Sequence, residues 1–91
     1  MEQYNLDSLA VKKLAAEMLY NSLKILSNKK SPEKRQEERE WITEGSEKLF
    51  GYRWCVNTCG VKPSFIKEII SSIENGNSLK KALKIVNGAT Q

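Results

Sequence analysis

The sequence predicts an all-α fold, a small bundle of four to five helices containing a helix-turn-helix. Three observations predict the class. Apolar residues return every three or four positions through most of the chain. No segment alternates apolar and polar residues as a half-buried strand would. The two prolines and five glycines fall at helix boundaries. A chain of 91 residues builds one modest core, so residues 1–91 read as a single helical domain. It carries no internal repeat and no low-complexity linker.

The first helix begins at Asp7 or Ser8, either of which can cap free N–H groups, and runs to about residue 27. Val11, Leu14, Ala15, Met18, Ser22, Ile25 and Leu26 form its buried stripe. Leu9, Leu19 and Leu23 widen that stripe beyond what a small domain covers. The second helix opens at Ser31-Pro32, a cap followed by a first-turn proline, and ends near Gly45. Its first two turns are charged almost throughout and read as a solvated face with weak pairs such as Arg35 with Glu38. Trp41 and Ile42 anchor its end. Residues 46–51 make a loop or helical turn from which Leu49 and Phe50 fold back to the core.

The third helix, 52–59, buries Cys55, Val56 and Cys59, and Trp54 covers its join to the second. The fourth, about 63–75, stops at Gly76. The fifth, about 78–87, takes Ser78 as cap and Gly88 as stop. Leu79, Ala82, Leu83 and Val86 form its apolar stripe, and residues 89–91 read as a frayed end.

Residues 55–70 are the most informative stretch. Gly60 can take positive φ and end one short helix, Val61 plugs the angle that follows, and Pro63 suits the first turn of the next helix. Two helices joined this way, at about 52–75, are the pattern of a helix-turn-helix, whose second helix lies in a DNA major groove. Ile66, Ile69, Ile70 and Ile73 share the core side of that second helix. Ser64, Lys67, Glu68 and Ser71 lie opposite, with Lys62 at the entrance. Lysine donates to guanine, serine donates or accepts, and glutamate accepts from cytosine N4. Phe65 can touch a thymine methyl, pack inward, or join a protein interface. Arg53, Lys80, Lys81 and Lys84 are candidates for contacts to the DNA backbone. Lysine at position 62 is a poor helix cap.

The formal charge of +4 is unevenly spread. Residues 31–50 carry four basic against six acidic side chains, whereas residues 51–91 carry six against two. The basic excess therefore sits with the proposed reading unit and suits a polyanionic partner, here double-stranded DNA. Histidine is absent, which removes the commonest metal ligand and general base. Cys55 and Cys59 are two ligands where zinc wants about four, and read as small buried apolar groups. Glu37, Glu38 and Glu40 lie in a wet charged run with no pocket signalled to shift them, and the scattered glycines form no phosphate-cradling loop. The expectation is a binding protein with no catalytic residue, no metal and no cofactor. No apolar run approaches the ~20 residues that span a bilayer, and the polar start Met1-Glu2-Gln3-Tyr4 is unlike a signal peptide. The expected location is the cytoplasm.

Several short motifs occur in a recognisable order. They are a leucine-rich helix from Leu14 to Leu26, a charged helix from Arg35 to Trp41-Ile42, Phe50 with Tyr52, Trp54-Cys55, and Gly60-Val61-Lys62-Pro63. Over about residues 6–73 the chain resembles short bacterial and phage-encoded helix-turn-helix proteins grouped as transcriptional regulators. The resemblance implies the helical fold and a role in transcription, and implies no ligand or reaction. It departs at Lys62, where an acid is usual, and at Glu68, which reverses the usual basic sign.

The reading is a small DNA-binding transcriptional regulator, acting as a homodimer because one such unit covers little DNA. The alternative is a helical adaptor that binds RNA polymerase or a host or phage protein without reading DNA, suggested by Phe65, Glu68 and the acidic middle segment.

Overall fold

The computed structural model describes residues 8–89, which form five helices in the order α1 (Ser8–Leu26), α2 (Pro32–Glu44), α3 (Tyr52–Cys59), α4 (Pro63–Glu74) and α5 (Leu79–Ala89). No strand occurs among the described residues. The all-α bundle expected from the periodicity is the fold. The Asp7 cap lies outside the described residues.

α1 is the spine, in contact with α2, α3 and α4. Its buried line is Ala15, Leu19, Ser22, Leu23 and Leu26. Leu9 and Leu14, expected near or in the stripe, are exposed. Ten apolar positions on one helix are more than its neighbours cover, and the line actually buried follows the i, i+4 steps 15, 19, 23 and the nearby 22 and 26.

Two clusters form the core. Leu23 and Leu26 of α1 meet Ile69 and Ile73 of α4 and Leu79, Ala82 and Val86 of α5. Ala15 and Leu19 of α1 meet Cys55 and Val56 of α3 and Ile66 of α4. Phe65 and Ile70 are half-buried and pack against both, so α4 links the clusters. Each large side chain so buried stabilises the fold by about 1.5–3 kcal/mol relative to exposure. The expected core side of α4 is thereby the side that is buried.

The Ser22 hydroxyl is an exception in this apolar setting. The residue is 4% exposed, and its Oγ has no hydrogen-bond partner. It lies where α1 faces Glu38 and Trp41 of α2. Burying an unpaired hydroxyl costs free energy. Ser22→Ala should therefore raise stability by about 1 kcal/mol, helped by alanine's higher helix propensity. Urea denaturation of the two proteins measures it, and a less stable alanine variant would show that the hydroxyl is bonded in solution.

α2 has no buried residue. Trp41 and Ile42 anchor it as expected, packing half-buried on the two clusters. The rest of its attachment is polar, and the expected Arg35–Glu38 pair is replaced by longer-range partners. The Arg35 Nε donates to the Leu26 carbonyl at 2.8 Å, satisfying an acceptor at the end of α1. Arg39 donates from Nε and Nη2 to both carboxylate oxygens of Glu74, at 2.6 and 3.0 Å. Arg35 adds an ion pair to the same carboxylate at 3.7 Å. Glu74 ends α4, where the helix dipole disfavours an acid, and the two arginines offset that.

The hydrogen bond from Arg39, with the attraction of Arg39 and Arg35, holds the Glu74 carboxyl below its ordinary range despite some desolvation. A depressed carboxyl stabilises the fold above its unfolded-state titration. That contribution disappears as pH falls through the lower folded-state value. Acidification below the ordinary carboxylate range should loosen α2 ahead of the core. Amide exchange of residues 33–40 followed against pH reads this, and Glu74→Gln should flatten the profile.

Two further expectations change. Leu49 and Phe50 do not return to the core but are 65% and 47% exposed. The reason is local. Phe50 holds a left-handed φ of 69°, which turns the pair outward, and its carbonyl accepts from the Trp41 indole at 3.2 Å. The Phe50 ring stands edge-on to Trp54 at 5.5 Å, so Trp54 covers this turn while Tyr52 meets Trp41 of α2. The second change is at Gly88, which does not stop α5, since the helix continues to Ala89. Ser78 does cap α5, its Oγ accepting from the Lys81 amide at 3.2 Å.

Candidate nucleic-acid interface

The candidate site is built on α3, the turn and α4. α3 ends because Gly60 takes φ 80° and donates its N–H to the Val56 carbonyl at 3.2 Å. Only glycine enters that conformation freely. Val61 packs against the cluster of Cys55, Val56 and Ile66, filling the angle between the helices. Lys62 is extended, and its side chain makes no cap. Its carbonyl accepts from the amides of Phe65 and Ile66 at 3.0 and 3.4 Å, which starts α4 behind Pro63. The chain thus breaks after the second cysteine and resumes as a separate helix three residues later.

Lys62, Ser64, Lys67, Glu68 and Ser71 are all exposed. Phe65 is the correction among the candidate residues. Of its three sequence readings the inward one holds, since the ring packs against both core clusters. Residue 65 precedes Ile66 by one helical step, and α5 closes that flank of α4 and draws the ring in.

The exposed residues divide between two grooves. Lys67 lines one with Arg53 and Asn57 of α3, Tyr52, Val56, Pro63 and Glu47. Glu68 and Ser71 line another, towards α5, with Ile85 and Val86. Arg53 is exposed and pairs with Glu47 at 3.6 Å. Lys80 opens onto a third groove beside Tyr20 and Lys24 of α1. Lys81 and Lys84 are exposed on α5 and line none of the three. The structure therefore brings Arg53 and Lys67 together and leaves the three α5 lysines outside their groove.

Sequence reasoning missed Asn57 and Glu47. The i, i+4 step from Arg53 to Asn57 put them on one face of α3 and was a usable signal. Nothing local pointed to Glu47, which the loop carries there.

The two thiols are free. Cys55 is fully buried, its Sγ 3.9 Å from the Met18 sulfur, and burial pushes its thiol above the ordinary value. It behaves as a core atom. Among the described residues, no group of three or more Cys, Asp or Glu side chains is placed to hold a metal, and no helix is long and apolar enough to cross a membrane. No protein-family model matches the chain, and no curated protein or solved structure matches it either.

Proposed function

We propose that this chain is a small DNA-binding transcriptional regulator of the cytoplasm, in which α3 and α4 act as a helix-turn-helix. One observation carries the reading. A left-handed Gly60 separates two helices, and the second turns an unobstructed polar strip of Lys62, Ser64, Lys67, Glu68 and Ser71 to solvent. Such a helix fits the major groove with its N-terminal half at the base edges. The basic excess of residues 51–91 supports association with a polyanion. No step of this role needs catalysis or a cofactor.

A single unit covers little DNA, and a second copy completes a two-half-site footprint. Leu9 and Leu14 on α1 and Ile85 on α5 are exposed apolar side chains available for that contact.

Selection of bound sequences from a random duplex library tests the proposal, together with the solution mass. The expected result is an enriched inverted repeat and a dimer mass. In the same assay Lys62→Glu combined with Lys67→Glu should weaken binding at least tenfold and lower the log–log salt slope by about 2, one for each lost phosphate or base-edge cation. Unaltered binding would remove this face from the proposal.

The adaptor reading is favoured by one observation, the outward Leu49-Phe50 pair on a left-handed backbone. Such strain occurs at recognition sites more often than elsewhere. Capture of the same protein partner from lysate before and after nuclease treatment would favour the adaptor. Loss of the partner with nuclease would favour DNA.

A further inference from the structure

We infer that the crook between α3 and α4 is a seat for one backbone phosphate, held by Arg53, Asn57 and Lys67 and opposed by Glu47. The inference rests on the regulator reading and sharpens it, because it moves Lys67 from base reading to backbone clamping.

Arg53 and Asn57 lie one turn apart on α3, and Lys67 lies one turn into α4. The three line one groove of about 370 Å³. Val56 and Pro63 give the groove an apolar wall, which strengthens any charge interaction made against it. Proline contributes no N–H, so the polar donors in the groove come from side chains. Two cations and an amide converge there with a single acid. That acid, Glu47, reaches Arg53 only at 3.6 Å with its side chain 71% exposed. It is a weak, solvent-screened partner that an anion can displace. A tetrahedral oxyanion matches the donor set, with the guanidinium fork on two oxygens and the ammonium and amide on others.

The opposite flank of α4 is unsuited to this task. Glu68 and Ser71 face the α5 side, and the Glu68 carboxylate would repel a phosphate. It can accept from a cytosine amino group in the major groove. The two flanks of α4 therefore divide the work. The α3 side grips the backbone and fixes register, and Ser64, Glu68 and Ser71 meet the bases.

Two arms test the inference on the full chain, with Arg53→Gln, Lys67→Gln and Glu47→Gln, all at exposed positions where folding is not at stake. In the first, inorganic phosphate is titrated into labelled protein and amide resonances are followed. Selective shifts at Asn57 and Lys67 that vanish in Arg53→Gln and Lys67→Gln support the seat. Shifts spread evenly over all lysines overturn it. In the second arm, duplex binding is measured against salt and the preferred sequence is reselected. Arg53→Gln and Lys67→Gln should each weaken binding about fivefold to tenfold and lower the salt slope by about 1, with the preferred sequence unchanged. Glu47→Gln should tighten binding. A changed base preference in Lys67→Gln overturns the seat and leaves the regulator reading standing. Localised phosphate shifts with no duplex binding at any salt overturn the regulator reading and keep the seat, as one for a free oxyanion.

Discussion

Gly51→Ala is expected to destabilise the protein by about 3 kcal/mol, a large loss for the addition of one methyl group. Gly51 has an ordinary φ of −78°, so the backbone itself would accept alanine. The obstacle is the chain that crosses it. A Cβ at position 51 would come within 2.6 Å of the Ser46 Cβ and 2.9 Å of the Ser46 carbonyl carbon, with the carbonyl oxygen also in the way. Backbone cannot move aside as a flexible side-chain tip can. The Ser46 carbonyl moreover accepts from the amides of Arg53 and Trp54, at 3.0 and 3.2 Å, and so caps the start of α3. Displacing it leaves N–H groups in the first turn without their acceptor. Gly60→Ala is the control. Its φ of 80° disfavours any side chain, but nothing lies within 4 Å of the added Cβ. Strain alone should cost about 1–2 kcal/mol there. Urea denaturation of both variants ranks them, and a larger loss at Gly60 than at Gly51 would refute the steric account of the 46–51 turn.

Ile69→Ala should cost about 3–4 kcal/mol. Ile69 is 1% exposed and sits in the cluster where α1, α4 and α5 meet. Removing its outer carbons forfeits their transfer free energy and leaves a void that three helices cannot jointly close. A chain of this size has a total stability of roughly 5–14 kcal/mol, so the variant loses between a quarter and most of it. Ile69→Val should cost about 1 kcal/mol by the same reasoning. The denaturation midpoint should fall with little change in slope. Duplex binding, measured where the variant is still folded, should match the parent, because no part of Ile69 reaches the polar strip of α4.

What could be read in advance follows from how local each feature is. The isoleucines at 66, 69 and 73 repeat at helical spacing, and that period alone places them inward. Gly60 and Pro63 act within a turn of where they stand, so the break between α3 and α4 was visible. The outward turn of Leu49-Phe50 was not. It depends on a left-handed Phe50, on the Trp41 indole nine residues back and on the close crossing at Gly51. Apolar character alone argued the wrong way. Phe65 was ambiguous by period, and only the placement of α5 decided it. The joint groove of Arg53, Asn57 and Lys67 required the angle between α3 and α4, which no spacing rule supplies. The Arg39–Glu74 pair, 35 residues apart, was out of reach for the same reason.

The lack of any buried side chain on α2 reaches beyond stability. Its outward positions, Glu33, Lys34, Glu37, Glu40 and Glu44 among them, can drift in evolution or be rewritten by design without repacking the interior. Because residues 31–50 hold six of the eleven acids, this helix sets much of the long-range potential that an approaching polyanion meets. Encounter speed can therefore be tuned on α2 while the contacts that follow docking, made elsewhere, keep their shape.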